Sequence, residues 1–194
     1  LVLSAAVLAL LLIIGNTAGL WEKWFGIPFH NQYLLFDNKW GSDRGFTWKA
    51  AAGMFAEMTP LRKLFGAGPD CFKAYSYSIP EYADLLYQYW KPNILTNAHN
   101  EFLNLLICIG IVGLFAFLAM LGMGVWRFFK AWEKISEGTE SIWLSAFVLA
   151  GMLSILAYAG HNFFCYQQVC CTPFLFIVMG LAESAVRINE RKHS

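Results

Sequence analysis

Three long stretches of the chain carry no charged residue, and a polar, aromatic-rich segment separates the first two. Leu1 to Trp21, Phe102 to Trp126 and Ser141 to Ala182 contain no Asp, Glu, Lys or Arg. A helix needs about 20 apolar residues to cross a bilayer core of about 30 Å. The first two stretches each fit one crossing, and the third fits two with a tight turn around Gly160-His161-Asn162. The pattern predicts an all-α membrane protein, a polytopic helical bundle with about four transmembrane helices at residues 1–20, 101–126, 141–160 and 166–186. Between them it predicts a large loop at 21–100 containing short helices, a short loop at 127–140, a turn at 161–165 and a tail at 187–194.

Inside the large loop the pattern changes several times. Residues 22–40 are aromatic and irregular, either a simple interfacial anchor or a surface suited to a lipid-linked substrate. Residues 41–58 predict a cap, with Ser42 or Asp43 supplying the side-chain oxygen, followed by a helix. Phe46, Met54 and Met58 recur there at helical spacing, and Thr59-Pro60 stops the run. Gly66-Ala67-Gly68-Pro69 is a turn signal without the Lys and Ser or Thr of a phosphate-binding loop. Residues 80–90 predict a short amphipathic helix rich in tyrosine, which packs the loop or helps to cover a sugar.

Composition strengthens the membrane assignment. The chain is 58% hydrophobic and 14% charged, against about 45–50% and about 25% in soluble domains. The net charge of +1 and the lack of basic runs interleaved with aromatics give no ground for a nucleic-acid partner. The five cysteines show no paired spacing and no C-x-x-C, which argues against a disulfide framework or a zinc pair. No metal and no cofactor is expected.

Charge sets the expected orientation. Arg127, Lys130 and Lys134 lie in one short connection, and Arg187, Arg191 and Lys192 in the tail. Short cytoplasmic loops collect such residues, so both segments are expected in the cytoplasm and the large loop outside. Trp21, Trp24, Trp126 and Trp132 then fall at the interfaces as an aromatic belt. The chain starts inside an apolar run, with no Met, no basic start and no convincing cleavage site. It is expected to be the C-terminal fragment of a longer protein, cut within an internal transmembrane helix.

Two charged or titratable residues in the loop are candidates for chemistry. Arg44 falls in the first turn of the predicted helix, where an anion is favoured and a cation is not. It is either a solvated surface arginine or a group that faces a phosphate together with free backbone N–H groups. His99 lies in Asn97-Ala98-His99-Asn100-Glu101, at the lip of the next span. It is either a polar interfacial residue or a general base, since a neutral imidazole is available near neutral pH. Asn97 and Asn100 can orient the ring or bind sugar hydroxyls. Glu101 can hold the other ring nitrogen or cap the helix. His161, beside Asn162, reads as a turn residue in water, with a minor role near the sugar as the alternative.

Taken in order, these residues resemble the O-antigen ligase family, which includes O-antigen polymerases and related protein glycosyltransferases. The matching pieces are Asp43-Arg44-Gly45-x-x-Trp48, then Pro60-Leu61-x-x-x-Phe65-Gly66-x-Gly68-x-x-x-Phe72, then Ala98-His99-Asn100-Glu101-Phe102-Leu103, then Gly110-Ile111-Val112-Gly113-Leu114. The resemblance covers residues 35–125 well and the later spans loosely. It implies a GT-C-like architecture for the full protein, in a bacterial inner membrane with the loop on the periplasmic or extracellular side. The implied activity is transfer of a glycan from an undecaprenyl-diphosphate carrier to an acceptor hydroxyl on a glycan, lipid or protein, as a ligase or polymerase, without metal and with inversion. It implies that His99 activates the acceptor hydroxyl and Arg44 binds the diphosphate. Asn97, Asn100, Glu101 and Trp48 are expected beside them as substrate-binding residues. A further functional arginine of the family lies upstream of these residues, and Arg62 and Lys63 take no role from it. Two other readings compete: a metal-dependent transferase using Asp37 and Asp43, and a non-catalytic polytopic membrane protein such as a polysaccharide transporter or flippase subunit.

Overall fold

The computed structural model describes residues 2–26, 34–137, 142–168 and 170–192, and every regular element among them is helical. The helices are α1 (Val2–Thr17), α2 (Leu20–Phe25), α3 (Trp40–Glu57), α4 (Pro60–Phe65), α5 (Phe72–Ser76), α6 (Pro80–Trp90), α7 (Glu101–Glu137), α8 (Ile142–Phe164) and α9 (Thr172–Lys192). Much of the segment expected to be irregular, at 27–33, lies outside the described residues.

Among the described residues two helices are long and apolar enough to cross a membrane, Glu101–Ser136 within α7 and Ile142–Phe164. The described part of α1 is a shorter apolar helix. Two boundaries differ from the sequence expectation. The helix α7 continues through the basic stretch at 127–134 as far as Glu137, and α8 continues through Gly160-His161-Asn162 to Phe164. Neither stretch holds a proline, and Asn162 is only 1% exposed, so burial on the bundle keeps the helix intact where polarity alone suggests a turn.

The molecule has two apolar cores, and α7 contributes to both. One lies within the loop and collects Met54, Phe72, Leu86 and Ala98 with Ile107 and Cys108 from the first turns of α7. The other lies between α7, α8 and α9 and collects Phe128, Val148, Ile155, Ala182 and Val186. Close helix contact is allowed by small residues: a Cβ on Gly151 would press on the Cβ of Ala182. At the far end of the bundle Arg127 pairs with Glu183 at 3.1 Å and with Glu190 at 2.9 Å. That ion pair holds the late part of α7 against α9, so the two basic segments that the charge pattern assigns to one side do lie together.

The two halves of α7 are separated by a break. Gly110 has φ 70 and ψ −171, a conformation open to glycine alone. The break releases carbonyl groups from the helical ladder, and the Gly66–Gly68 turn receives them. Ala67 N–H donates to Ile107 O at 2.9 Å, and Gly68 N–H donates to Cys108 O at 2.8 Å. Irregular backbone in an apolar setting is stable only when its polar groups are paired in this way. The contact leaves no room for a side chain on either partner: a Cβ on Gly66 would overlap the Cys108 carbonyl, and one on Gly110 the Leu64 carbonyl.

The loop helices follow local rules around this contact. Thr59 caps α4 by accepting from Arg62 N, and Pro60 opens the helix where no N–H is needed. The helix α6 begins at Pro80 and ends at Trp90, as the sequence pattern expects, and buries Leu86. Phe46, Met54 and Met58, recognised by their spacing, are all buried.

Gly66→Ala and Gly110→Ala are each expected to destabilise the protein by more than about 2 kcal/mol, through left-handed strain plus backbone overlap. Gly122→Ala is expected to stay within about 0.5 kcal/mol, since nothing lies within 4 Å of its new Cβ. Thermal unfolding in detergent compares the three.

Candidate functional site

Asp43, Arg44, Gly45 and Trp48 form one connected turn, each with a distinct partner. Gly41, Ser42 and Asp43 are left-handed, with φ of 60, 60 and 67. True helical geometry begins at Arg44. The side-chain cap expected from Ser42 or Asp43 is therefore not made, because a capping residue needs extended backbone. The Asp43 carboxylate instead accepts from the Tyr89 hydroxyl at 2.7 Å. Burial, then that bond to Asp43, pushes the Tyr89 phenol up to about 12, so it remains a donor. Tyr89 also stacks on Phe46 with ring centroids 3.6 Å apart, so α6 braces the turn. Gly45 lies against Asp37, where a Cβ would overlap the carbonyl oxygen.

Arg44 emerges from this turn toward the end of α8. Its Nε donates to Phe164 O at 2.8 Å and its Nη1 to Gly41 O. Among the described residues no carboxylate forms an ion pair with it. The guanidinium is thus oriented by two neutral carbonyls and keeps its charge uncancelled. The anion-facing helix start expected from the sequence is changed in one respect: Arg44 is itself the first helical residue after a left-handed turn.

His99 is held by its backbone. With φ 48 it is left-handed. Its N–H donates to Asn97 Oδ1 at 3.0 Å, a local Asx bond, and its carbonyl accepts from Trp48 Nε1 at 3.4 Å. The ring lies between Trp90, with centroids 6.1 Å apart, and Tyr166, with centroids 5.7 Å apart. Among the described residues no side chain hydrogen-bonds to the imidazole. Burial, and then the Arg44 charge, lower its pKa from the ordinary value of 6.5. Both effects disfavour the imidazolium and favour the neutral ring.

The neighbours of His99 point elsewhere. Asn100 Oδ1 accepts from Leu103 N at 2.9 Å and so caps α7, while its Nδ2 donates to Phe163 O at 2.8 Å. Glu101 is 2% exposed, and its Oε2 accepts from Gln167 N at 2.8 Å. Of the two options read from sequence, helix cap or ring partner, Glu101 takes neither. Together with Arg44 these residues tie down carbonyls or N–H groups at Phe163, Phe164 and Gln167. The segment after α8 is thereby fastened beside the His99 ring, with Tyr166 against it.

Two cavities flank this assembly. An apolar one of about 780 Å³ is lined by Ile13 and Ile14 from α1 and by Trp40, Trp48, Phe163 and Phe164. A polar one of about 520 Å³ is lined by Asp70, Asn97, Glu101, Asn104, Tyr166 and Gln167, among others. His161 is exposed within α8, its ring bonded to the adjacent Asn162. The sequence reading missed Tyr89, Phe164, Tyr166, Gln167 and Asn104. Phe164 and Gln167 act through backbone atoms, which carry no residue signal. Asn104 is visible as a polar residue on the Glu101 face of an otherwise apolar helix.

A family model described as O-antigen ligase matches residues 1–118, more than half of the chain. No curated protein and no solved structure matches.

Asn100→Leu removes the α7 cap and the tie to Phe163 together. It is expected to destabilise the protein by about 1–3 kcal/mol, read as a lowered melting temperature in detergent.

Proposed function

The chain belongs to the O-antigen ligase family, and from that premise we propose that it transfers a glycan from an undecaprenyl-diphosphate carrier to an acceptor hydroxyl on the outer side of a bacterial inner membrane, as an O-antigen ligase or polymerase. At the level of the family this is a membrane protein of glycan transfer. The observation that carries the finer reading is the apolar cavity beside the turn that bears Arg44. Trp48 lines that cavity and donates to the His99 carbonyl, and Phe164 lines it and accepts from Arg44. A prenyl chain, a diphosphate and a base are three requirements of one reaction, and the features suited to them are neighbours here.

In the proposed reaction the prenyl chain occupies the apolar cavity and the diphosphate lies against Arg44. The acceptor hydroxyl attacks the anomeric carbon from the side opposite the diphosphate and gives its proton to His99. The anomeric carbon–oxygen bond breaks, with inversion, and the electron pair leaves on the prenyl diphosphate. Two bonds to carbonyls orient Arg44 before substrate arrives. A preoriented cation in a site poor in water is an effective stabiliser of developing charge. The lowered His99 pKa keeps the base neutral. Diphosphate is a good leaving group, so the base need not be strong.

In the complete protein, His99→Ala is expected to lower glycan transfer by about 10²–10⁴-fold with normal protein level and membrane insertion. Retention of full activity removes the base assignment. Arg44→Ala is expected to reduce kcat/KM for the lipid donor by about tenfold or more. An unchanged donor response counts against the diphosphate role.

The pH profile supplies a separate check. The base must be unprotonated, so transfer rises with pH through the His99 pKa and then levels. Because that pKa is lowered, the acid limb of kcat/KM is expected below pH 6.5. Arg44→Gln, which removes the neighbouring cation, is expected to move the limb toward higher pH.

A further inference from the structure

The second cavity, like the apolar one, is lined by residues that contact His99. Trp48, which donates to the His99 carbonyl, lines the apolar cavity. Asn97, which accepts from the His99 N–H, lines the polar cavity, and so does Tyr166, whose ring meets the imidazole. Residues in contact with the proposed base therefore line both an apolar space and one that carries polar side chains.

The lining of the polar cavity has a definite chemical bias. The carboxylates of Asp70 and Glu101 and the amide of Asn104 are there, and among the described residues no Lys, Arg or His lines it. Asn104 Oδ1 is buried and has no hydrogen-bond partner, a rare condition in a folded protein and one that a ligand donor would correct. Glu101 receives one backbone N–H on Oε2, and a carboxylate accepts several bonds. The space therefore offers acceptors to O–H or N–H donors. Glu101 is buried, which disfavours its charged form, so the exposed Asp70 carboxylate is the group that disfavours an anion here. Its volume, about 520 Å³, lies within the range of small-ligand sites, about 300–1,000 Å³.

The fold explains why these groups meet. Glu101, Asn104 and Cys108 recur on one face of α7 at intervals of three and four. Asp70 follows the Gly66–Gly68 turn that is bonded to the Ile107 and Cys108 carbonyls. The contact that fills the break in α7 also sets a carboxylate opposite the α7 face.

We propose that this cavity is the acceptor subsite and that it holds an uncharged sugar residue, with Asp70, Glu101 and Asn104 accepting from its hydroxyls and excluding uronic acids and phosphorylated sugars. The proposal rests on the assignment of His99 as the base that deprotonates the acceptor. It places the acceptor sugar and the lipid donor in separate cavities, each lined by a residue that contacts His99.

The test uses the complete protein in membrane vesicles with a lipid-diphosphate-linked glycan, and two probes, a methyl hexopyranoside and the matching methyl hexuronoside. The neutral probe is expected to inhibit transfer in competition with the acceptor, and the uronoside is expected to have no effect at equal concentration. Asn104→Leu and Asp70→Asn should each weaken inhibition by about three- to tenfold, the scale of one hydrogen bond. Asp70→Asn involves an exposed residue and so guards against a folding defect in the Asn104 variant. Competition with the lipid donor means that the cavity holds the donor sugar and overturns the acceptor assignment. Equal inhibition by the uronoside overturns the charge selection. Inhibition unchanged in both variants overturns the site. Ligand-observed NMR with the neutral probe and purified protein in detergent reads the cavity independently of transfer. If wild-type vesicles transfer no glycan, the proposed function fails; the probe's loss from Asp70→Asn and Asn104→Leu still reports whether a sugar binds here.

Discussion

The contact between Gly66–Gly68 and the break at Gly110 governs how the loop sits on the membrane helices. An unbroken α7 would have no carbonyl groups to offer, and the loop would rest on apolar side chains alone. The break releases acceptors at Ile107 and Cys108, and the turn at Ala67 and Gly68 supplies matching donors at 2.9 and 2.8 Å. Hydrogen bonds in an apolar setting fix direction as well as distance. The first turns of α7 thereby belong to the loop core and the remainder to the helix bundle. His99 is two residues before α7, so its position is inherited from this arrangement.

A second set of contacts runs across the site. Asn100, Arg44 and Glu101 reach Phe163, Phe164 and Gln167, each at 2.8 Å. The loop is thus fastened to the end of α8 as well as to α7. The bonds use side chains from the loop and the first residue of α7, and backbone atoms from the end of α8 and the segment after it. Substitution at 163 or 164 can therefore change the apolar lining, and at 167 the polar one, without removing the acceptors and the donor that orient the site.

The sequence made two long apolar helices, α6 and the apolar spacing of α3 legible, because each depends on neighbours within one or two helical turns. It did not reveal what the glycines are for. Gly45, Gly66 and Gly110 each lie against a carbonyl oxygen, and those carbonyls belong to Asp37, Cys108 and Leu64, distant in the chain in two of the three cases. Charged residues misled where their partner was remote. Asp43 reads as a helix cap but serves Tyr89, 46 positions away, and Glu101 reads as a partner for His99 but serves Gln167, 66 positions away. The α8 boundary was misplaced for the same reason, since the burial of Asn162 depends on packing that no local pattern records.

The diversion of Glu101 bears on the chemistry. A carboxylate on the imidazole would raise its pKa and make it a stronger base, at the cost of protonating it at neutral pH. The structure does the reverse: burial and Arg44 lower the pKa. Such an arrangement favours a base that is always available over one that is strong. It suits a reaction whose difficulty lies in stabilising the departing group, because the same cation that weakens the base faces the charge that develops there. In the proposed reaction Arg44 links the two ends, and its position depends on the Gly41 and Phe164 carbonyls, with no acid among the described residues to cancel its charge. An acid placed at Arg44 would oppose both effects, restoring protons to His99 and weakening the hold on a diphosphate.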